Sequence, residues 1–129
     1  MDTNEKLTAA NIRYLLTMKA FADTGRTIRN TYLADHLHYK KSSVHSMLQT
    51  LTALGMIEKT DSNVIRLTEK GMDTAVRYQA YFTKLETMMQ KCFPAFDNRE
   101  NAVLALLAEI PERDLVRFSD AVQSDRSKS

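Results

Sequence analysis

A mainly α-helical fold with one small β wing is what this sequence predicts. Three observations predict it. Apolar residues recur at helical spacing through most of the chain. Only residues 56–67 carry a strand–turn–strand pattern. Glycine and proline are scarce, three and two in 129 residues, so little interrupts the helices. Between Thr31 and Leu67 the order is helix, polar turn, helix, strand, turn, strand. That order specifies a winged helix-turn-helix, a module that can place its second helix in the DNA major groove.

Residues 1–7 read as a loose lead-in. Thr8 is placed to cap a first helix reaching Asp23. Ile12, Leu15, Leu16 and Lys19 mark one face, widened by Tyr14, Met18 and Phe21. Gly25 fits just past the end. A connection with an extended piece at Ile28 leads to a second helix over Thr31–Leu37, with Leu33, Ala34 and Leu37 inward. His38-Tyr39-Lys40-Lys41 is the turn. Ser42 is read as the N-cap of the third helix, whose inward face is Val44, Met47, Leu48, Leu51 and Leu54. Gly55 closes it. Met56–Thr60 and Val64–Leu67 flank Asp61-Ser62-Asn63, which is turn chemistry, so this stretch is the wing.

Thr68 caps a long helix from Glu69 to Cys92 with an apolar stripe at Ala75, Tyr78, Phe82, Leu85 and Met89. Phe93-Pro94 ends it, because the residue before proline disfavours helix. Asp97-Asn98-Arg99-Glu100 resembles a capping box opening a helix to Glu109. That helix is apolar nearly all round, so burial on most sides is expected. Pro111 suits the first position of a last helix with Leu115, Phe118 and Val122 on one face. The organisation expected is a DNA-binding domain over 8–68 and a helical dimerisation region over 69–123, with loose termini at 1–7 and 124–129.

Composition narrows the function classes. No apolar run approaches the roughly 18 residues of a spanning helix, so no membrane partner is expected. The N-terminal residues lack the basic start and apolar core of a signal peptide, and Cys92 stands alone, which together predict a cytoplasmic location. Net charge is only +2, but residues 1–67 carry nine Lys/Arg against six Asp/Glu, while residues 68–129 carry nine against ten. The basic excess sits with the DNA-binding half. No Gly-rich phosphate loop, Ser/His/Asp order or paired carboxylates stand out, so an enzyme is not predicted and no cofactor is expected.

With the third helix's apolar side inward, its other side carries Ser42, Ser43, His45, Ser46, Gln49 and Thr50, with no acid. Short hydroxyls, an amide and an imidazole can bond base edges and phosphates without repelling a duplex. Ser42, Ser43, His45, Ser46 and Gln49 are therefore the candidate base-facing or phosphate-facing residues. Lys40 and Lys41 before the helix, and Lys59 and Arg66 on the wing, are the candidate backbone-neutralising residues. A polar helix face is also what plain solvation produces, and winged helices also dock onto proteins, so the wing and the acid-free face carry the case together. His36, His38 and His45 lie close in sequence, yet polar contact is the simpler reading than a zinc site. Cys92 has only Lys91 beside it as a charged neighbour in sequence and reads as structural.

The string from Lys41-Ser42-Ser43-Val44 to Leu51, then Gly55-Met56-Ile57-Glu58, then Leu67-Thr68-Glu69-Lys70-Gly71, resembles the metal-dependent repressors of the diphtheria toxin repressor and manganese transport regulator type. The Leu-Thr-x-x-Gly step is also similar to the multiple antibiotic resistance regulator (MarR) type. The first resemblance implies a homodimeric repressor activated by Mn²⁺ or Fe²⁺, with ligands from the first helix, the long helix and the helix after it. This chain departs from that pattern. The ligand histidine of the long helix is replaced by Phe82, and only Glu86 matches an acidic ligand. The first-helix region holds Ile12, Arg13, Leu15 and Leu16, and the later helix offers Val103-Leu104-Ala105-Leu106-Leu107. One carboxylate cannot hold such a cation, so a site filled by apolar packing is expected, with Glu86 a solvated helix residue.

The prediction is a homodimeric regulator of transcription that binds double-stranded DNA without metal. A single recognition helix reads only a few base pairs, which favours pairing across a two-fold axis. Met72, Met88, Met89, Phe93, Phe96, Leu104, Leu107 and Phe118 are candidates for the seam. The alternatives are a MarR-type regulator answering a small-molecule effector, and a winged helix that docks onto another protein.

Overall fold

The computed structural model describes residues 6–128, with side chains described as far as residue 121. The elements are α1 (Ala9–Asp23), α2 (Asn30–Leu37), α3 (Lys41–Ala53), β1 (Ile57–Lys59), β2 (Ile65–Leu67), α4 (Glu69–Cys92), α5 (Arg99–Glu109) and α6 (Glu112–Lys128). This is a winged helix-turn-helix followed by helices. No described helix is long and apolar enough to cross a membrane. The chain divides into two compact units, Tyr14–Val76 and the remainder, with the divisions falling inside α1 and α4.

In the 14–76 unit, α1 ends on Gly25 at φ +76°, with Arg26 N–H bonded to Phe21 O and Gly25 N–H to Ala22 O. These two bonds form a Schellman closure. Gly55 repeats it after α3 at φ +77°, with Met56 N–H on Leu51 O and Gly55 N–H on Thr52 O. Both glycines stand where the sequence puts them. The wing is a two-stranded antiparallel sheet pairing Ile57 with Leu67, Glu58 with Arg66 and Lys59 with Ile65. Each strand is shorter than the sequence suggests. Its turn closes through Asn63 N–H on Thr60 O, and Asn63 takes the left-handed conformation at φ +63°. Ile28 adds an isolated bridge to Ile65. The core holds Tyr14, Leu15, Met18, Leu33, Val44, Leu51, Met56 and Ile65, each at most 2% exposed.

In the other unit, Thr8 caps α1 reciprocally. Asn11 N–H bonds Thr8 Oγ1 and Thr8 N–H bonds Asn11 Oδ1, both at 3.0 Å. Leu7 is buried, so the lead-in is not loose at that residue, while residues 1–5 of that expectation lie outside the described residues. α4 begins and ends where the sequence places it. At α5 the capping box does not form. Asn98 makes no cap to the backbone and its Oδ1 accepts from Asn101 Nδ2 instead, at 2.9 Å. α5 buries Val103, Leu104 and Leu107 but leaves Ala105 and Leu106 exposed, so its burial is one-sided. Leu104 and Leu107 are thereby buried within the chain itself, so neither offers surface for the expected seam. Pro111 sits one residue before α6, and its carbonyl accepts from Leu115 N–H. α6 continues to Lys128, through residues expected to be loose; Val122 and the side chains after it lie outside the described ones.

Candidate nucleic-acid interface

The start of α3 is set by how α2 stops. His38 takes the left-handed conformation, φ +59° and ψ +42°, and Tyr39 N–H bonds Ala34 O at 3.0 Å. Tyr39 then stacks on Tyr14, ring centroids 6.0 Å apart and 24° from parallel. Burial raises the Tyr14 phenol, with Tyr39 adding to the shift, so this wall of the turn stays neutral. Lys40 is extended and is the N-cap of α3, but it makes no side-chain cap. Ser42, read from the sequence as the cap, is the second residue of the helix. The reason is local. The left-handed His38 lets the chain enter helical geometry two residues sooner. The first-turn N–H groups of α3 are therefore left without a side-chain acceptor, at a terminus whose dipole favours an anion.

α3 buries Val44, Leu48 and Leu51, and half-buries Met47. Ser42, Ser43, His45, Ser46 and Gln49 are exposed, as are Lys40 and Lys41. α3 contains no acidic residue. Thr50 turns its hydroxyl back onto Ser46 O at 3.2 Å, which occupies that donor.

The wing separates two residues the sequence grouped. Lys59 is paired opposite Ile65, and Arg66 opposite Glu58, so alternation puts Lys59 and Arg66 on opposite faces. Lys59 shares a groove of about 450 Å³ with His45 and Gln49, floored by Leu48, Ile57 and Ile65. The structure thus brings His45, Gln49 and Lys59 together. It places Arg66 beside Glu58 on the far face, a carboxylate that offsets its charge.

Sequence reasoning passed over Arg29. It is the N-cap residue of α2, and its exposed side chain donates to Ser62 O at the wing turn, 3.1 Å away. No periodicity announces such a contact. The extended reading at Ile28 is the one signal that brings Arg29 near the wing. His36 meets Phe21 edge-on with centroids 5.2 Å apart, while Arg26 lies over the same ring at 5.7 Å. Lys70 Nζ donates to Leu54 O at 2.8 Å, at the C-terminal end of α3.

The metal pattern of the resembling family meets apolar side chains here. Ile12, Leu15, Val103, Leu104 and Leu107 are buried, and Phe82 is half-buried on α4. Arg13 pairs with Glu100 at 2.9 Å. Glu86 is half-buried rather than fully solvated. Among the described residues no three His, Cys, Asp or Glu side chains gather in a way that could hold a metal ion. Hydrocarbon cannot ligate, so these residues do not fit the family's cation.

Residues 13–61 match the model of the IclR helix-turn-helix domain. None of the curated proteins matches the chain in sequence. Among solved structures, the manganese regulator SloR is similar over 88% of this chain and 53% of its own, with a TM-score of 0.76 and 16% identity. The hypothetical protein SSo2273 from Sulfolobus solfataricus is similar over 90% and 89%, with a TM-score of 0.67 and 20% identity. T. acidophilum IdeR is similar over 92% and 55%, with a TM-score of 0.65 and 19% identity. The chain thus spans about half the length of SloR and IdeR. The likeness to the solved structures is one of fold, in agreement with the resemblance to metal-dependent repressors, and the family match supports a helix-turn-helix domain over residues 13–61.

Proposed function

We propose that the chain is a cytoplasmic, homodimeric transcriptional regulator that reads duplex DNA through α3 and the wing and works without the metal of the family it resembles. One observation carries this reading. α3 presents Ser42, Ser43, His45, Ser46 and Gln49 to solvent, without an acid, behind an N-terminus flanked by Lys40 and Lys41. Phosphate contacts position such a helix, and the amide and imidazole supply base contacts. Pairing is supported by apolar surface left over: Met88, Phe93 and Phe96 are 42%, 56% and 40% exposed. Metal independence is supported by the missing donors.

The test is capture of genomic fragments by the full chain, with and without a chelator, followed by salt titration of the best fragment. Enrichment of a common sequence, indifferent to chelator, supports the reading. Binding that is equally weak on all DNA, or lost on chelation, overturns it. Sedimentation equilibrium tests the pairing, and a strictly monomeric chain at micromolar concentration overturns that part.

A further inference from the structure

We infer that the helical unit carries a binding cleft for a small amphipathic carboxylate, a site independent of the α3 face. A cavity of about 570 Å³ opens where α5 turns into α6, a size suited to a small organic molecule. Leu7, Leu107 and Ile110 line it, and the first two are buried. An apolar ring or branched alkyl body therefore has a surface to cover.

The polar groups are few and convergent. Tyr78 lines the cleft and is only 6% exposed. Its ring packs edge-on against Tyr81 at 5.2 Å, and it is Tyr81, not Tyr78, that donates to Glu112, at 2.8 Å. The Tyr78 hydroxyl makes no hydrogen bond with a described residue. That leaves the hydroxyl available to donate to a ligand in the cleft. Burial raises its pKa, Glu112 adds to the shift and Arg77 opposes it, so the phenol remains a donor at neutral pH.

Charge decides the class of ligand. Glu112 is ion-paired with Arg77 and accepts from Tyr81, so its charge is already offset. The cleft's remaining charged side chains are Lys6, Arg113 and Glu109, all exposed and without a partner among the described residues. Two cations against one anion favour a monoanion. Arg113 stands in the first turn of α6 between Glu112 and Asp114, so the attraction rests on its own guanidinium and on Lys6 rather than on the helix terminus.

Heteronuclear NMR on the full chain tests this, with phenylacetate and cyclohexanecarboxylate as probes and phenylacetamide and 2-phenylethylamine as controls. The expected result is saturable shifts at Tyr78, Leu107 and Ile110 for the carboxylates, with the amide and amine binding roughly tenfold weaker or worse. Arg113→Gln and Tyr78→Phe should each weaken the carboxylates by about three- to tenfold. Arg113 is exposed and Tyr78→Phe removes only a hydroxyl that bonds no described residue, so unchanged melting temperatures are expected for both. Carboxylates that produce no saturable shifts, an amine that binds as well as they do, or shifts centred away from these residues would overturn the proposal. So would variants that fold and bind like the parent.

Discussion

A Cβ built on Gly71 would lie 1.9 Å from the carbonyl oxygen of Met56. The first turn of α4 therefore rests directly on the backbone that enters β1. Thr68 completes the clasp. Its N–H donates to the same Met56 oxygen at 2.9 Å, its hydroxyl donates to Gly55 O at 2.6 Å, and that hydroxyl accepts from Gly71 N–H at 3.0 Å. The string Leu67-Thr68-Glu69-Lys70-Gly71 thus fixes the wing against α4, and its role is structural.

Gly71→Ala should destabilise the chain by about 2–4 kcal/mol, because backbone cannot retreat as a flexible side chain would. Alanine's better helix propensity, worth about 1 kcal/mol, acts the other way and is outweighed. Urea unfolding measures the difference. A variant as stable as the parent would show that the wing entry can shift away.

Much of this fold is readable from the sequence because the signals are local. Gly25, Gly55 and Thr68 each mark a helix boundary through their own backbone chemistry, and Phe93-Pro94 ends α4 the same way. Ser42 misled because serine is a good cap wherever it stands, whereas the start of α3 is decided by the left-handed His38 upstream. α5 misled because apolar composition cannot say how many sides have neighbours; Leu106 stays exposed. Of the candidate site, the α3 face follows from helical periodicity. The split of Lys59 from Arg66 required the strand register, and the Arg29 contact required the tertiary fold.

His38→Gly should stabilise the chain by about 0.5–1 kcal/mol. A left-handed L-residue costs about 1–2 kcal/mol, and glycine returns part of that gain as added freedom of the unfolded chain. A rise in the thermal midpoint checks this, and a fall would mean that the imidazole makes a contact worth more than the strain.

The α3 face and its flank should separate in binding assays. His45→Ala and Gln49→Ala should narrow the gap between specific and random DNA, each by about 1–3 kcal/mol. Lys41→Ala should weaken binding to every sequence and reduce the salt slope by about one unit. Fluorescence anisotropy across a salt series reads both. Equal losses on specific and random DNA for all three variants would contradict the assignment.

Arg29→Gln should loosen the wing turn while leaving α3 in place. The guanidinium donates to Ser62 O, and the remaining donors of its planar fork face solvent, where a phosphate can meet them. Faster amide exchange at Asp61–Asn63 and a shallower salt slope are expected together. Faster exchange alone would make Arg29 a purely structural brace, and a shallower slope alone would make it a plain phosphate contact.

Alkaline pH should act on the helical unit through Tyr81. Burial and its bond to Glu112 raise this phenol well above the usual 10. A raised pKa means the folded chain holds its proton more tightly than the unfolded chain does. The associated stability is therefore complete below about pH 10 and is lost as pH climbs from there toward the folded-state value. Tyr81→Phe deletes a charge-assisted bond to Glu112, and should cost about 1–2 kcal/mol at neutral pH while flattening the alkaline decline. Urea unfolding at neutral and alkaline pH measures both effects. A variant that loses stability with alkali as steeply as the parent would assign the decline to other groups, with Tyr14 and Tyr78, also raised by burial, the first to be replaced.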